Sequence, residues 1–206
     1  VTVRAGSKAE MALPDGTFVH LNAATNLEYD VNNSKQRLVK LSGEAFFDVA
    51  KNPDCPFKVI INDLQIEVVG TSFNVKTYKK DIVETSLLSG RIRISGGSLP
   101  HEYTLSPGQK ATYSAMDRTL RISKADAHVE AGWRDNYLIF ESTPLIDVIA
   151  QIERWYGVEI RLHHKQIAQD LLSGSFRNES IQNVIRSLSI QYGFKYEIHK
   201  DIITIY

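Results

Sequence analysis

Gly43-Glu44-Ala45-Phe46-Phe47-Asp48-Val49, then Pro56-Phe57-Lys58-Val59, then Gly70-Thr71-Ser72-Phe73-Asn74-Val75 is the stretch that decides the fold. These are short runs of β-branched and aromatic residues, punctuated by glycine and proline. Side chains alternate along a strand, so Leu41, Gly43, Ala45, Phe47 and Val49 share one face. Ser42, Glu44, Phe46 and Asp48 share the other, which reads as the solvated face. Glu44 and Asp48 would sit about 13 Å apart at the α-carbons, beyond the ~9.5 Å limit for paired glycosidase carboxylates, with Phe46 between them. The chemistry of this stretch is packing.

Outward from it, residues 1–125 read as almost all β. Leu13-Pro14-Asp15-Gly16-Thr17 is a tight-turn signal between Met11 and Leu13 on one side and Phe18, Val19 and Leu21 on the other. Further runs are Leu38–Val49, Phe57–Asn62, Ile66–Tyr78, Val83–Leu88, Arg91–Ser95, Tyr103–Leu105 and Lys110–Tyr113. Turn signals fall at Asn32-Asn33, Ser89-Gly90, Gly96-Gly97 and Pro107-Gly108. Short strands at this spacing suit a sandwich, a barrel or a solenoid. Residues near 114–132 are small and polar and read as a connector, with Trp133 pinning its end.

The last part, residues 133–206, repeats itself. Phe140, Leu145, Val148, Ile149, Ile152, Tyr156 and Gly157 recur 36 residues on as Phe176, Ile181, Val184, Ile185, Leu188, Tyr192 and Gly193. The spacing i, i+3, i+4, i+7 marks one buried helical face. Each copy reads as strand, helix, strand, giving a small α+β domain of two βαβ repeats. Thr143 with Pro144 suits the start of the first helix and Ser180 the start of the second. Gly157 and Gly193 suit the left-handed residue that ends each. The closing strand Ile202–Tyr206 is expected at a sheet edge, where unpaired backbone would offer a template to a partner strand.

Composition excludes several function classes. The chain has 206 residues, with 24 Lys plus Arg against 24 Asp plus Glu, so the balance is neutral. Nucleic-acid binding rests on concentrated positive charge, and the sparse Lys35, Arg37 and Lys40 read as a solvated face. The single cysteine, Cys55, permits no internal disulfide and has no basic neighbour in sequence to activate it. No run approaches the ~20 apolar residues that span a bilayer.

No residue pattern announces catalysis. There is no Gly-x-Ser-x-Gly elbow, His-Glu-x-x-His or phosphate loop. The histidines at 20, 101, 128, 163, 164 and 199 are scattered. His163 and His164 are adjacent, so extended backbone points them to opposite faces. No cofactor, metal or catalytic residue is assigned. Asp147, Glu153 and Arg154 are read as surface positions of the first helix. Trp155 stands at the margin of its apolar stripe, three residues beyond Ile152 and with Gln191 as its repeat counterpart. Trp and Arg are the residue types that anchor partners, so Arg154 and Trp155, with Ile202, Thr204 and Tyr206 of the closing strand, are the candidate partner-binding residues.

With Leu13–Thr17, Leu21-Asn22-Ala23 and the Gly43–Val75 stretch in this order, the chain resembles the periplasmic part of FecR-like anti-sigma factors. The repeat resembles the short N-terminal signalling domain of secretins and TonB-dependent transducers. The resemblance implies a twisted, solenoid-like β stack over 1–125 and a signalling-type domain over 133–206. It implies no enzyme activity. It implies a periplasmic location, with a cytoplasmic sigma-binding segment and a membrane helix upstream of Val1. Its partners would be the signalling domain of an outer-membrane TonB-dependent transporter and an extracytoplasmic-function sigma factor. A rival reading is a secreted carbohydrate-binding or carbohydrate-active β protein, based on Tyr103, Tyr113 and Tyr137 as exposed aromatics. A purely structural envelope protein is a third.

Overall fold

The computed structural model describes residues 1–32, 36–163 and 165–206. Asn33, Lys35 and His164, each part of a sequence expectation, lie outside the described residues. Among the described residues the protein is mainly β, with several sheets and three α-helices, and it divides into two units. The first comprises Val1–Val3 and Lys8–Ala131, the second Arg4–Ser7 and Gly132–Tyr206.

In the first unit the strands are β1 (Thr2–Val3), β2 (Ala9–Ala12), β3 (Phe18–Leu21), β4 (Thr25–Asn32), β5 (Gln36–Ser42), β6 (Glu44–Asp48) and β7 (Phe57–Ile61). They continue as β8 (Leu64–Val68), β9 (Ser72–Lys76), β10 (Ile82–Ser89), β11 (Ile92–Gly96), β12 (Tyr103–Leu105), β13 (Gln109–Ser114) and β14 (Thr119–Lys124). One seven-stranded sheet runs β1-β4-β5-β7-β8-β11-β12, the other β2-β3-β6-β9-β10-β13-β14. Each follows chain order from edge to edge, while the chain itself passes repeatedly from one sheet to the other.

The two sheets share one core. Phe47 of the second sheet stacks on Phe73 at 5.2 Å and meets Phe57 of the first at 5.8 Å. All three are fully buried, as are Val39, Val59, Ile66 and Val75. Each such side chain contributes about 1.5–3 kcal/mol of transfer free energy.

The run expected over Leu38–Val49 is not one strand. It breaks at Gly43, where β5 of one sheet ends and β6 of the other begins. Gly43 has φ +115°, and a Cβ there would lie 2.5 Å from Thr25 Oγ1 and 2.7 Å from Thr25 Cα. Only glycine fits so tight a corner. Ile66–Tyr78 likewise divides into β8 and β9.

The face expected to be solvated is exposed at its ends, Ser42 and Asp48, but buried in the middle, where Phe46 and Glu44 are only 3% and 7% exposed. Glu44 accepts hydrogen bonds from Asn22 Nδ2 (2.8 Å) and Asn74 Nδ2 (3.0 Å), which satisfies its carboxylate. Nor is Arg37 solvated, for it is among the largest fully buried side chains. Lys40 is exposed. Residues 114–132, read as a connector, hold β14 and a short helix α1 (Ala127–Ala131). Tyr113, read as exposed, is buried, and its hydroxyl accepts a hydrogen bond from Ser98 N at 3.2 Å. Tyr103 and Tyr137 are half-buried.

In the second unit Trp133 is buried in a 3₁₀ turn over Gly132–Asp135. There follow β15 (Tyr137–Pro144), α2 (Leu145–Tyr156), β16 (Glu159–Leu162), a 3₁₀ turn (Lys165–Gln169), β17 (Leu171–Arg177), α3 (Ile181–Tyr192), β18 (Tyr196–His199) and β19 (Ile202–Ile205). The helices begin at 145 and 181 and end at 156 and 192, 36 residues apart at both ends. Val148, Ile149 and Ile152 of α2, and Val184, Ile185 and Leu188 of α3, enter one core with Leu138, Phe140, Ile160 and Ile203. The strands flanking each helix lie in different sheets: β15 pairs with β17, while β16, β19 and β18 form a three-stranded sheet in that order.

Ser180 caps α3, its side chain accepting from Asn183 N. Thr143 does not cap α2. Pro144 occupies the cap position, and Thr143 Oγ1 bonds the backbone of Glu141 instead. Both helices end on a left-handed glycine, Gly157 (φ 69°) and Gly193 (φ 71°). Within this unit the Arg4–Ser7 segment lies along the end of α2. Gly6 N donates to Arg154 O at 2.8 Å. A Cβ at Gly6 would meet Tyr156 O at 3.1 Å, and one at Gly157 would meet Ala5 O at 3.2 Å.

Candidate partner-binding site

Arg154 and Trp155 stand on the last turn of α2. Trp155 is half-buried and packs against the core of the second unit, so its ring both closes that core and reaches the surface. Arg154 is half-exposed, and its carbonyl holds Gly6 N. Behind them, Glu153 Oε1 accepts from Ile160 N at 2.7 Å, tying the helix end to β16.

Ile202 and Thr204 lie on β19, which is not an edge. It is the middle strand of three, parallel to β16 (Ile202 opposite Glu159, Thr204 opposite Arg161) and antiparallel to β18 (Ile202 opposite His199, Thr204 opposite Glu197). With both sides paired, its backbone offers no template for a further strand. Tyr206, just past its end, is 52% exposed. Its backbone exchanges hydrogen bonds with Lys195, and its ring stacks on His163 at 5.8 Å. The helix pair and the strand trio therefore stand on separate elements; Arg154, Trp155, Ile202 and Thr204 are all half-buried, and Tyr206 alone of the five is exposed.

In the same unit a shallow hollow of about 370 Å³ lies between the end of β17 and α3. Phe176 and Ile190 supply its apolar walls, Glu179 and Arg186 its charges. Sequence reasoning passed over it because Ile190 falls off the apolar stripe of α3; an isoleucine out of phase with a helix's buried face is the signal that marks it.

Buried charges elsewhere serve the first unit's architecture. Arg37 donates through Nε to Cys55 O (2.6 Å), through Nη1 to Ala50 O (2.7 Å) and Asp15 Oδ2 (3.1 Å), and through Nη2 to Asn52 O (3.1 Å). Asp15 also takes Thr17 N (3.0 Å) and Thr17 Oγ1 (2.8 Å). The Leu13–Thr17 turn is thereby fastened to β5 and to the segment before β7. Lys110 Nζ sits 2.9 Å from both Glu84 Oε1 and Glu130 Oε1, joining β13, β10 and α1. Burial pushes the Lys110 ammonium down, but the two carboxylates outweigh it and hold its pKa above the usual value. Burial likewise raises Glu84, and Lys110 with Lys76 and Lys79 brings it below the usual range. Among the described residues no three His, Cys, Asp or Glu side chains gather as a metal would need. No described helix is long and apolar enough to cross a membrane.

Comparison with known proteins agrees with this picture. The profile described as FecR protein matches residues 1–93, and that described as FecR, C-terminal, matches residues 137–205. No curated protein sequence matches significantly. Two crystal structures of a candidate anti-sigma factor from Parabacteroides distasonis ATCC 8503 superimpose with TM-scores of 0.89 and 0.88. Each is 30% identical and covers 100% of this chain and 97% of its own. A shared fold, a shared order of motifs and this identity over the full length place the chain among the FecR-like anti-sigma factors, a regulatory family that relays signals.

Proposed function

We propose that the chain is the periplasmic signal-relay region of a transmembrane anti-sigma factor, and that it binds the N-terminal signalling domain of an outer-membrane TonB-dependent transporter. The full-length likeness to another FecR-like protein carries the reading. A cytoplasmic segment and a membrane helix upstream of Val1 would contact the extracytoplasmic-function sigma factor and anchor the protein in the inner membrane. Residues 1–125 act as the scaffold. Their solenoid-like character is supported by strands that follow chain order across both sheets. Residues 133–206, two strand–helix–strand copies, receive the transporter. The matching helix bounds and glycine caps support that duplication.

Arg154 and Trp155 on α2, with Ile202, Thr204 and Tyr206 at the closing strand, are the contact residues in this reading; Ile202 and Thr204 can act only through their half-buried side chains, because both sides of the β19 backbone are paired. Relay requires the partner to prefer one state of the chain over another, because a ligand shifts an equilibrium only by its differential affinity. Isothermal titration of the chain with the transporter's signalling domain tests the reading. Binding is expected, and Trp155→Ala should weaken it by at least about 2 kcal/mol, the mark of a hot spot. Absence of heat and of co-elution would refute the proposed partner.

A further inference from the structure

Sheet edges invite pairing with foreign strands, and proteins guard them by keeping them short or by placing charges and proline on them. In the first unit the edges β1 and β12 have two and three residues. The edge β2 carries Glu10, and β14 carries Arg121 and Lys124. In the second unit β16 carries Glu159 and Arg161, β18 carries Glu197 and His199, and β15 carries Glu141 and Pro144. The least guarded is β17: its one charge is the terminal Arg177, and Leu171-Leu172-Ser173-Gly174-Ser175-Phe176 before it has neither charge nor proline. One side pairs with β15, from Tyr137 opposite Arg177 to Pro144 opposite Leu171. Among the described residues no strand occupies the other side.

This thinly guarded edge is also open. Ser173, Gly174 and Ser175 are exposed, and a Cβ at Gly174 would meet nothing within 4 Å. Apolar side chains wait at both ends: Leu171 is 59% exposed at the start of the strand, and Ile190 is 76% exposed across the hollow at its finish. The charge beside it is cationic. Arg177 closes the strand, its guanidinium 4.6 Å from the Tyr137 ring, and Arg186 lines the hollow. Among the described residues neither forms an ion pair; Glu179, which accepts Asn183 Nδ2 at 2.8 Å, keeps its negative charge, so two arginines against one carboxylate leave the patch net cationic.

We infer that β17 is a docking edge for an extended, acidic segment of another protein. That segment adds to the two-stranded sheet as a third strand, sets an apolar side chain into the Phe176–Ile190 hollow, and brings a carboxylate to Arg186. Backbone pairing supplies a surface that only another strand matches; the hollow and the arginines select which strand. A second copy of this chain is the poorer occupant. Its own Leu171–Arg177 has no carboxylate to offer and would bring another Arg177 instead. The inference takes from the proposed function only that the second unit receives a protein.

The test is a display library of random twelve-residue peptides panned on the intact chain, with amide hydrogen exchange of the captured complexes. Captured peptides should alternate apolar and polar residues, be enriched in Asp and Glu, and slow exchange at backbone amides within 171–177. Arg186→Glu and Ser175→Lys, both exposed and checked for unchanged melting, should each weaken capture at least tenfold. Three results overturn the inference: no captured peptide responds to either variant, capture leaves 171–177 unprotected, or the chain self-associates through a contact that Ser175→Lys abolishes. The transporter's signalling domain is tested in parallel. If it binds without protecting β17, the proposed function survives and the docking edge falls. If it fails to bind while acidic peptides dock on β17, the edge survives and the named partner falls.

Discussion

Replacing Arg37 with methionine keeps most of the side-chain volume and removes the guanidinium. The change leaves the carbonyls of Ala50, Asn52 and Cys55 without their donor, and the Asp15 carboxylate, with its side chain only 4% exposed, without its cation. Asp15 retains the two Thr17 donors, so it is not wholly stranded. Removing one partner of a buried pair costs about 3–5 kcal/mol, and an unsatisfied buried acceptor about 1–3 kcal/mol. These overlap, because the Ala50–Cys55 segment can relax toward water, so a total near 4 kcal/mol is the working figure. At about 3 °C per kcal/mol the first unit should melt roughly 10 °C lower. Both tryptophans, Trp133 and Trp155, belong to the second unit. In a urea titration far-ultraviolet circular dichroism reads both units together and indole fluorescence reads the second alone, so the transition that the dichroism shows and the fluorescence does not belongs to the first unit. Asp15→Asn combined with Arg37→Met should cost clearly less than the sum of the single changes. A loss below about 1 kcal/mol for Arg37→Met, or strict additivity in the cycle, would refute the clamp.

Three further outcomes follow from the geometry. Gly43→Ala should cost at least about 2 kcal/mol in the same urea titration, since it forces a Cβ into Thr25 at a φ that L-residues avoid. Ser180→Ala should lose about 1 kcal/mol read by indole fluorescence, while Thr143→Ala, whose hydroxyl caps no helix, should lose less. The Glu84–Lys110–Glu130 cluster should shape the pH profile on both sides. Glu84, held below its usual 4.5, contributes fully above that value and fades as pH falls through its folded pKa; Lys110, held above its usual 10.5, contributes fully below that value and fades as pH rises through its own. Glu84→Gln should flatten the acid limb of urea midpoint against pH, and Lys110→Met the alkaline limb.

Much of this fold is legible from periodicity, because local spacing and burial agree. The two helices of the second unit stand where the i, i+3, i+4, i+7 pattern puts them, and the glycines that end them were visible as such. Arg37 was legible in principle: it is in phase with Val39 and Leu41 on β5, so the alternation that buries them buries it too. Charge type masked that signal. Phe46 gave the same warning about Glu44, since an aromatic on a supposedly solvated face implies a cover. The corner at Gly43 was hidden because the in–out alternation continues through it when the strand changes sheets. The central position of β19 rests on parallel pairing with β16 across about forty residues, which no local pattern records. Thr143 failed as a cap because its hydroxyl found the nearer Glu141 backbone first.

The four residues Arg4–Ser7 carry a practical lesson for anyone who would cut this protein in two. A fragment starting at Gly132 would leave the Arg154 carbonyl without the amide that reaches it from the far end of the chain, and would uncover the backbone of Gly157. Chimeras that exchange C-terminal modules between relatives carry this mismatch silently, because the junction lies more than a hundred residues from the piece left behind. Fusing a Val-Arg-Ala-Gly-Ser strap ahead of the module, or permuting the chain so that the strap travels with it, keeps that seam closed.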